Sequence, residues 1–236
     1  METARSKHFI VHFNSGSTAQ VESDKILKLL EECYKKVTKE LNLGIEPVIN
    51  VYLYETQADK KLATGEEANA HTDRVKYEFF AVYNPLTKSI GAHELVHLLT
   101  NHLGLPNYLF NEGLAEYFED DWVVKINGVP KNISHDEVVN MLINEGKYIP
   151  ISYLFDDEKF WGLDPDGAYS YPESGSFIKY LTGRFGIEKV LQAYIRLRRK
   201  SDASNNKSVF ADIFKQQIED IEKDYLKYLS NLSAKN

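Results

Sequence analysis

The sequence predicts an α+β fold: a small N-terminal α/β lobe with a mixed sheet, followed by a mainly helical C-terminal lobe. Three observations point there. Between residues 7 and 85, short β-favouring runs are separated by helical or polar stretches. Beyond residue 121 the apolar residues recur mainly at helical spacing. Between these regimes lies an apolar segment that nevertheless carries three histidines and several carboxylates at regular intervals.

The elements follow in order. "KHFIVHF", residues 7–13, alternates and reads as a strand, with His8 and His12 as ordinary strand residues. "NSGST" is a turn and N-cap for one helix over residues 19–43, apolar at 26, 29, 30, 33, 34, 37 and 41 and ended by Gly44. "PVINVYLYET" is a second strand, and the polar stretch 57–78 is a short helix and loop. "FFAVYNP", residues 79–85, is a third strand stopped at Asn84-Pro85. In the second half, "SHDEVVNMLINEGK" opens on a capping box of Ser134 and Glu137. "FDDEKFWGLDPDGAYS" is rich in turn formers and reads as an ordered loop. Residues 171–186 form a helix closed by Gly183 or Gly186, and "GIEKVLQAYIRLRRK" and "SVFADIFKQQIEDIEKDYLKYLSNL" are helical.

Composition narrows the function. With 236 residues, 43% hydrophobic and 27% charged, the chain has an ordinary globular balance and length enough for a sizeable core. A net charge of -7 argues against a nucleic-acid surface, and the basic run "RLRRK" reads as a solvated helix end. The single cysteine, Cys33, sits at apolar helical spacing and reads as a small core residue. No apolar run approaches the roughly 18 to 20 residues needed to span a bilayer. "METARSKHFIVHF" lacks the apolar stretch of a signal peptide, so the sequence as it stands reads as cytoplasmic.

The ionisable groups inside the apolar segment demand compensation, because an unpaired buried charge costs several kcal/mol, on the order of 3 to 5 when a partner is removed. His93 and His97 in "HELVH" are four residues apart, so on a helix they share one face. Two imidazoles so placed can converge on one ion, with Glu94 projecting beside them towards a bound water. Gly104 and Pro106 break the helix, and a second begins near Tyr108. Glu112 in its opening turns can return as a third, oxygen ligand. Glu116, one turn further on, is placed to accept the other ring N–H of a ligating histidine, His93 first. His102 reads as a helix-end residue. Two histidines and one carboxylate with an open fourth position favour a catalytic zinc, one Zn2+ per chain.

"HELVH" followed by "NEGLAEY" resembles the gluzincin metallopeptidases, and is similar in style to their small bacterial peptidase MA-like members. The resemblance implies a zincin-like catalytic domain in which residues 1–105 carry the HExxH helix and residues 106–236 carry the third ligand. It implies that His93, His97 and Glu112 bind zinc, that Glu94 is the general base, and that Glu116 supports the first histidine. The gap between His97 and Glu112 is shorter than in thermolysin or the aminopeptidases. "YPESGSFIKYL" resembles the aminopeptidases' tyrosine motif, which implies that Tyr171 donates to the oxyanion, with Tyr169 as the alternative. Their acidic exopeptidase motif is missing ahead of HExxH, where "FFAVYNPLTKSIGA" stands, which favours endopeptidase action on a peptide or protein substrate. The strand "FFAVY" is expected to line the cleft and offer that substrate an open edge, with a place inside the sheet as the alternative for the rest of the strand. A zinc hydrolase with a non-peptide substrate and a catalytically silent binding module are the alternatives. Oligomeric state is not legible.

Overall fold

Strand alternation decides what the N-terminal half buries. The computed structural model describes residues 1–44, 46–119, 122–126 and 129–233. Its contacts divide into two compact units, Met1–His102 and Leu103–Asn236. The architecture is α+β, and no helix among the described residues is long and apolar enough to cross a membrane.

The first unit is built on five strands: β1 (Glu2–Arg5), β2 (Phe9–Phe13), β3 (Ile49–Tyr54), β4 (Ala70–Asp73) and β5 (Glu78–Val82). Their order is β1-β2-β3-β5-β4. The three central strands are parallel and both outer ones antiparallel, so the sheet is mixed as expected. Phe9, Val11, Ile49, Val51, Phe79 and Ala81 alternate onto one face and are fully buried. Phe9 meets Tyr34 of the helix α2 (Ser23–Glu40) edge-on, with ring centroids 6.3 Å apart. On the opposite face, register aligns His12, Tyr52, Phe80 and His71 into a stack across four strands, with centroid spacings of 4.3, 5.0 and 4.9 Å. His12 is a strand residue, as read, whereas His8 directly precedes β2 and pairs with Glu31 at 2.7 Å.

Three expectations for this unit need correction. The helix expected over 19–43 is two, α1 (Thr18–Val21) and α2, broken at Glu22. The Glu22 carboxylate accepts from the Tyr83 hydroxyl and the Lys88 ammonium, each at 2.6 Å, so distant partners fix the break. Asn42, at φ 50°, turns the chain out of α2 instead of Gly44, and the Leu43 N–H closes onto the Thr38 carbonyl at 2.9 Å. Between α3 (Gln57–Thr64) and β5 lies β4, a strand with almost no apolar pattern. It pairs with β5 in register, so "FFAVY" has no open edge: β4 does.

The second unit opens with α5 (Tyr108–Glu119) and a hairpin of β6 (Trp122–Ile126) and β7 (Val129–Ile133) that the helical reading omitted. Then come α6 (His135–Asn144), α7 (Ile151–Leu154), α8 (Asp157–Leu163) and α9 (Ser170–Phe185). Three helices follow, α10 (Ile187–Arg196), α11 (Ala203–Phe214) and α12 (Ile218–Ser233). The Ser134–Glu137 capping box forms as expected. The stretch read as a loop contains α8, because Asp156 caps the N–H groups of Glu158 and Lys159 and Phe160 is fully buried. Gly186, at φ 85°, closes α9, while Gly183 lies within it. Helices α5 and α9 nearly touch backbones. A Cβ on Gly113 would lie 2.8 Å from the Ser174 carbonyl oxygen, and one on Gly175 would lie 2.6 Å from Glu116 Cβ.

Glu173 in the first turn of α9 is fully buried. Its Oε1 accepts the Ile149 N–H at 2.9 Å, whereas Oε2 has no hydrogen-bond partner among the described residues. Burial pushes its carboxyl well above the usual range, and the charges of Asp164 and Glu222 add to the effect. The folded chain therefore holds this proton at pH values where the unfolded chain has released it. Stability is fully present below the ordinary carboxylate pKa and falls as pH rises towards the raised one. Denaturant unfolding from pH 5 to 8 should show a downward slope that Glu173→Gln reduces. Parallel wild-type and variant curves would refute this.

Candidate metal centre

The site begins with α4 (Ala92–Leu99), preceded by Gly91. Its apolar residues Leu95, Val96, Leu98 and Leu99 are all buried, which anchors the helix on more than one side. His97 is buried, and His93 and Glu94 are half-buried. The Nε2 atoms of His93 and His97 approach to 3.2 Å, as an i, i+4 pair on one face should. The Thr100 hydroxyl donates back to the Val96 carbonyl at 2.7 Å where the helix ends. A 3-10 turn (Asn101–Leu103) and Gly104 at φ 104° complete the exit. His102 lies exposed in that turn, in keeping with its reading as a helix-end residue.

Helix α5 starts at Tyr108, the expected position. Asp157 fixes this start by accepting the Tyr108 N–H at 2.8 Å. Arg199 clamps the residues before it: the guanidinium lies 4.0 Å from the Tyr108 ring centroid and donates to the Pro106 carbonyl at 3.3 Å. Part of "RLRRK" is thus a structural clamp rather than a solvated helix end. Glu112 is 6% exposed and accepts the Asn111 side-chain amide at 2.5 Å. The Tyr194 hydroxyl of α10 donates in turn to Asn111 at 3.3 Å. Asn111 and Tyr194 therefore orient Glu112, a role that helical spacing cannot announce because the partners are 83 residues apart.

One ligand atom each from His93, His97 and Glu112 lies within 4.8 Å of the others, and this group can hold a metal ion. The donor chemistry fits zinc. Two imidazole nitrogens and a carboxylate oxygen are the usual protein donors of a catalytic zinc site. A cation would also compensate the negative charge of the buried Glu112.

The remaining site residues sit as follows. Glu116 is 4% exposed, and its Oε2 lies 3.0 Å from Nε2 of His135, a residue the sequence reading passed over. Tyr171, in the first turn of α9, packs its ring towards Phe160 and Trp161 of α8 at centroid distances of 6.2 and 6.0 Å. Tyr169 packs instead on the cluster of Ile133, Val138 and Leu142. Lys60 of α3 was also missed. It is fully buried and donates to the Glu66 carbonyl at 3.3 Å. Burial lowers its pKa, and the negative charges of Glu66 and Glu94 oppose that shift. Cys33 is half-buried on α2. No protein-family model matches the chain, and no curated protein matches it.

Proposed function

We propose that this chain is a zinc-dependent peptidase of gluzincin type that hydrolyses internal peptide bonds. The observation that carries the reading is the approach of the His93, His97 and Glu112 ligand atoms to within 4.8 Å. The likeness of "HELVH" and "NEGLAEY" to the gluzincins supports it. When bound, zinc supplies Lewis acidity, lowering the pKa of a water towards about 7 and polarising a carbonyl.

The chain's own residues do the rest. The Glu94 carboxylate accepts the proton of the attacking water and returns it to the leaving amine. An extended substrate adds to the open edge of β4, the strand that packs along α4. Tyr171 donates its hydroxyl to the developing oxyanion.

Peptide-library cleavage read by mass spectrometry, with and without chelator, tests the reading. Chelator-sensitive cleavage at internal bonds is expected. Zinc binding without cleavage of any peptide would overturn the peptidase assignment. On a cleaved peptide, Tyr171→Phe should lower kcat by about 10² to 10³, the usual worth of one oxyanion donor. Zinc content should stay unchanged, because phenylalanine keeps the ring contacts to Phe160 and Trp161. Full activity in Tyr171→Phe would remove that residue from the mechanism.

A further inference from the structure

Glu116 and His135 are 4% and 0% exposed, so both halves of the pair are out of water. The imidazole has little freedom to leave. His135 is the first residue of α6, directly after Ser134, whose hydroxyl accepts the Glu137 N–H while Glu137 accepts the Ser134 N–H. Its neighbour Asp136 ties the same turn to two other helices. Ser176 of α9 donates to Asp136 at 2.6 Å, Tyr228 of α12 donates at 3.2 Å, and the Lys179 ammonium lies 3.3 Å away. From α9, Gly175 presents bare backbone: a Cβ there would lie 2.8 Å from His135 Nδ1 and 2.6 Å from Glu116 Cβ.

We infer that His135 is a positioning residue: it holds the Glu116 carboxylate in place one turn from Glu112 on α5, and so presets the metal centre. This rests on the zinc reading above. A histidine that only filled space would be replaceable by an apolar side chain of similar size. A histidine that presents Nε2 to a carboxylate is replaceable only by another donor at that point. Glutamine supplies one there, whereas the shorter asparagine does not reach it.

Zinc affinity of the full chain, measured by competition with a chromophoric chelator, separates these roles. His135→Leu should weaken zinc binding by about 10- to 100-fold, as loss of a group supporting a ligand set does. His135→Gln should bind within a few-fold of wild type. In a Glu116→Gln background, His135→Leu should add no further loss, because the two act through one contact. Leu and Gln variants of equal affinity, or effects that add in the double variant, would overturn the inference. If His135→Leu does not fold, His135→Gln against His135→Asn decides, and equal affinities again overturn it. A wild-type chain that binds no zinc would overturn the underlying reading, whereas a zinc-binding wild type with an indifferent His135 overturns this inference alone.

Discussion

His93→Ala and Glu112→Ala should each lose most of the zinc that the wild-type chain retains at close to one ion per chain. Either change leaves two of the three donor groups that approach within 4.8 Å. Four-donor structural zinc sites bind with roughly 10 to 16 kcal/mol, so one donor is worth about 3 kcal/mol, on the order of a hundred-fold in affinity. Metal analysis after dialysis, with chelator titration of each variant, checks the expectation. Stoichiometric zinc in both variants would remove these residues from the centre.

The elements that sequence made legible are those whose burial repeats. The strands Phe9–Phe13 and Ile49–Tyr54 alternate buried and half-buried residues, as does Glu78–Ala81, and α2 buries Ile26, Leu30, Tyr34 and Val37 along one stripe. Residues 70–73 carry no such alternation, because an outer strand can be specified by pairing with its neighbour alone. Hence the open edge expected of "FFAVY" lies one strand further out, on β4. The break at Glu22 was hidden for a similar reason. Its partners Tyr83 and Lys88 lie more than 60 residues away, and no local propensity reports them.

The site divides along the same line. His93 and His97 are read from spacing because one helical turn fixes their relation. Glu112 was reachable because Gly104, Pro106 and Tyr108 mark where one helix stops and the next begins. Tyr194, His135 and Lys60 were not, since the tertiary fold brings them to Asn111, Glu116 and Glu94. Two glycines did leave a signal that went unused. Gly113 and Gly175 sit inside helices, where glycine costs about 1 kcal/mol relative to alanine. Each is explained by the close approach of α5 and α9, and Gly175 also marks the place where His135 and Glu116 meet.

Glu94→Gln should keep the fold and the zinc while abolishing peptide hydrolysis. Adjacent residues on α4 divide two tasks. His93 and His97 turn their Nε2 atoms towards each other at 3.2 Å, whereas Glu94 is not in the ligand group and points about 100° away around the helix. Glutamine is nearly isosteric with glutamate, so the half-buried position keeps its packing. It is neutral and cannot accept a proton at neutral pH. A general base commonly contributes about 10² to 10⁴ in rate, so the variant should fall by at least that much on a peptide the wild type cleaves. Lys60 makes a second readout available. Glu94 is one of two carboxylates whose charge holds the buried ammonium's pKa up against desolvation. Neutralising Glu94 removes that support, so the Lys60 pKa should fall further in the variant, as NMR of a labelled lysine side chain can measure. A Glu94→Gln chain without zinc would make Glu94 a ligand. One with full activity would place the hydrolysis elsewhere.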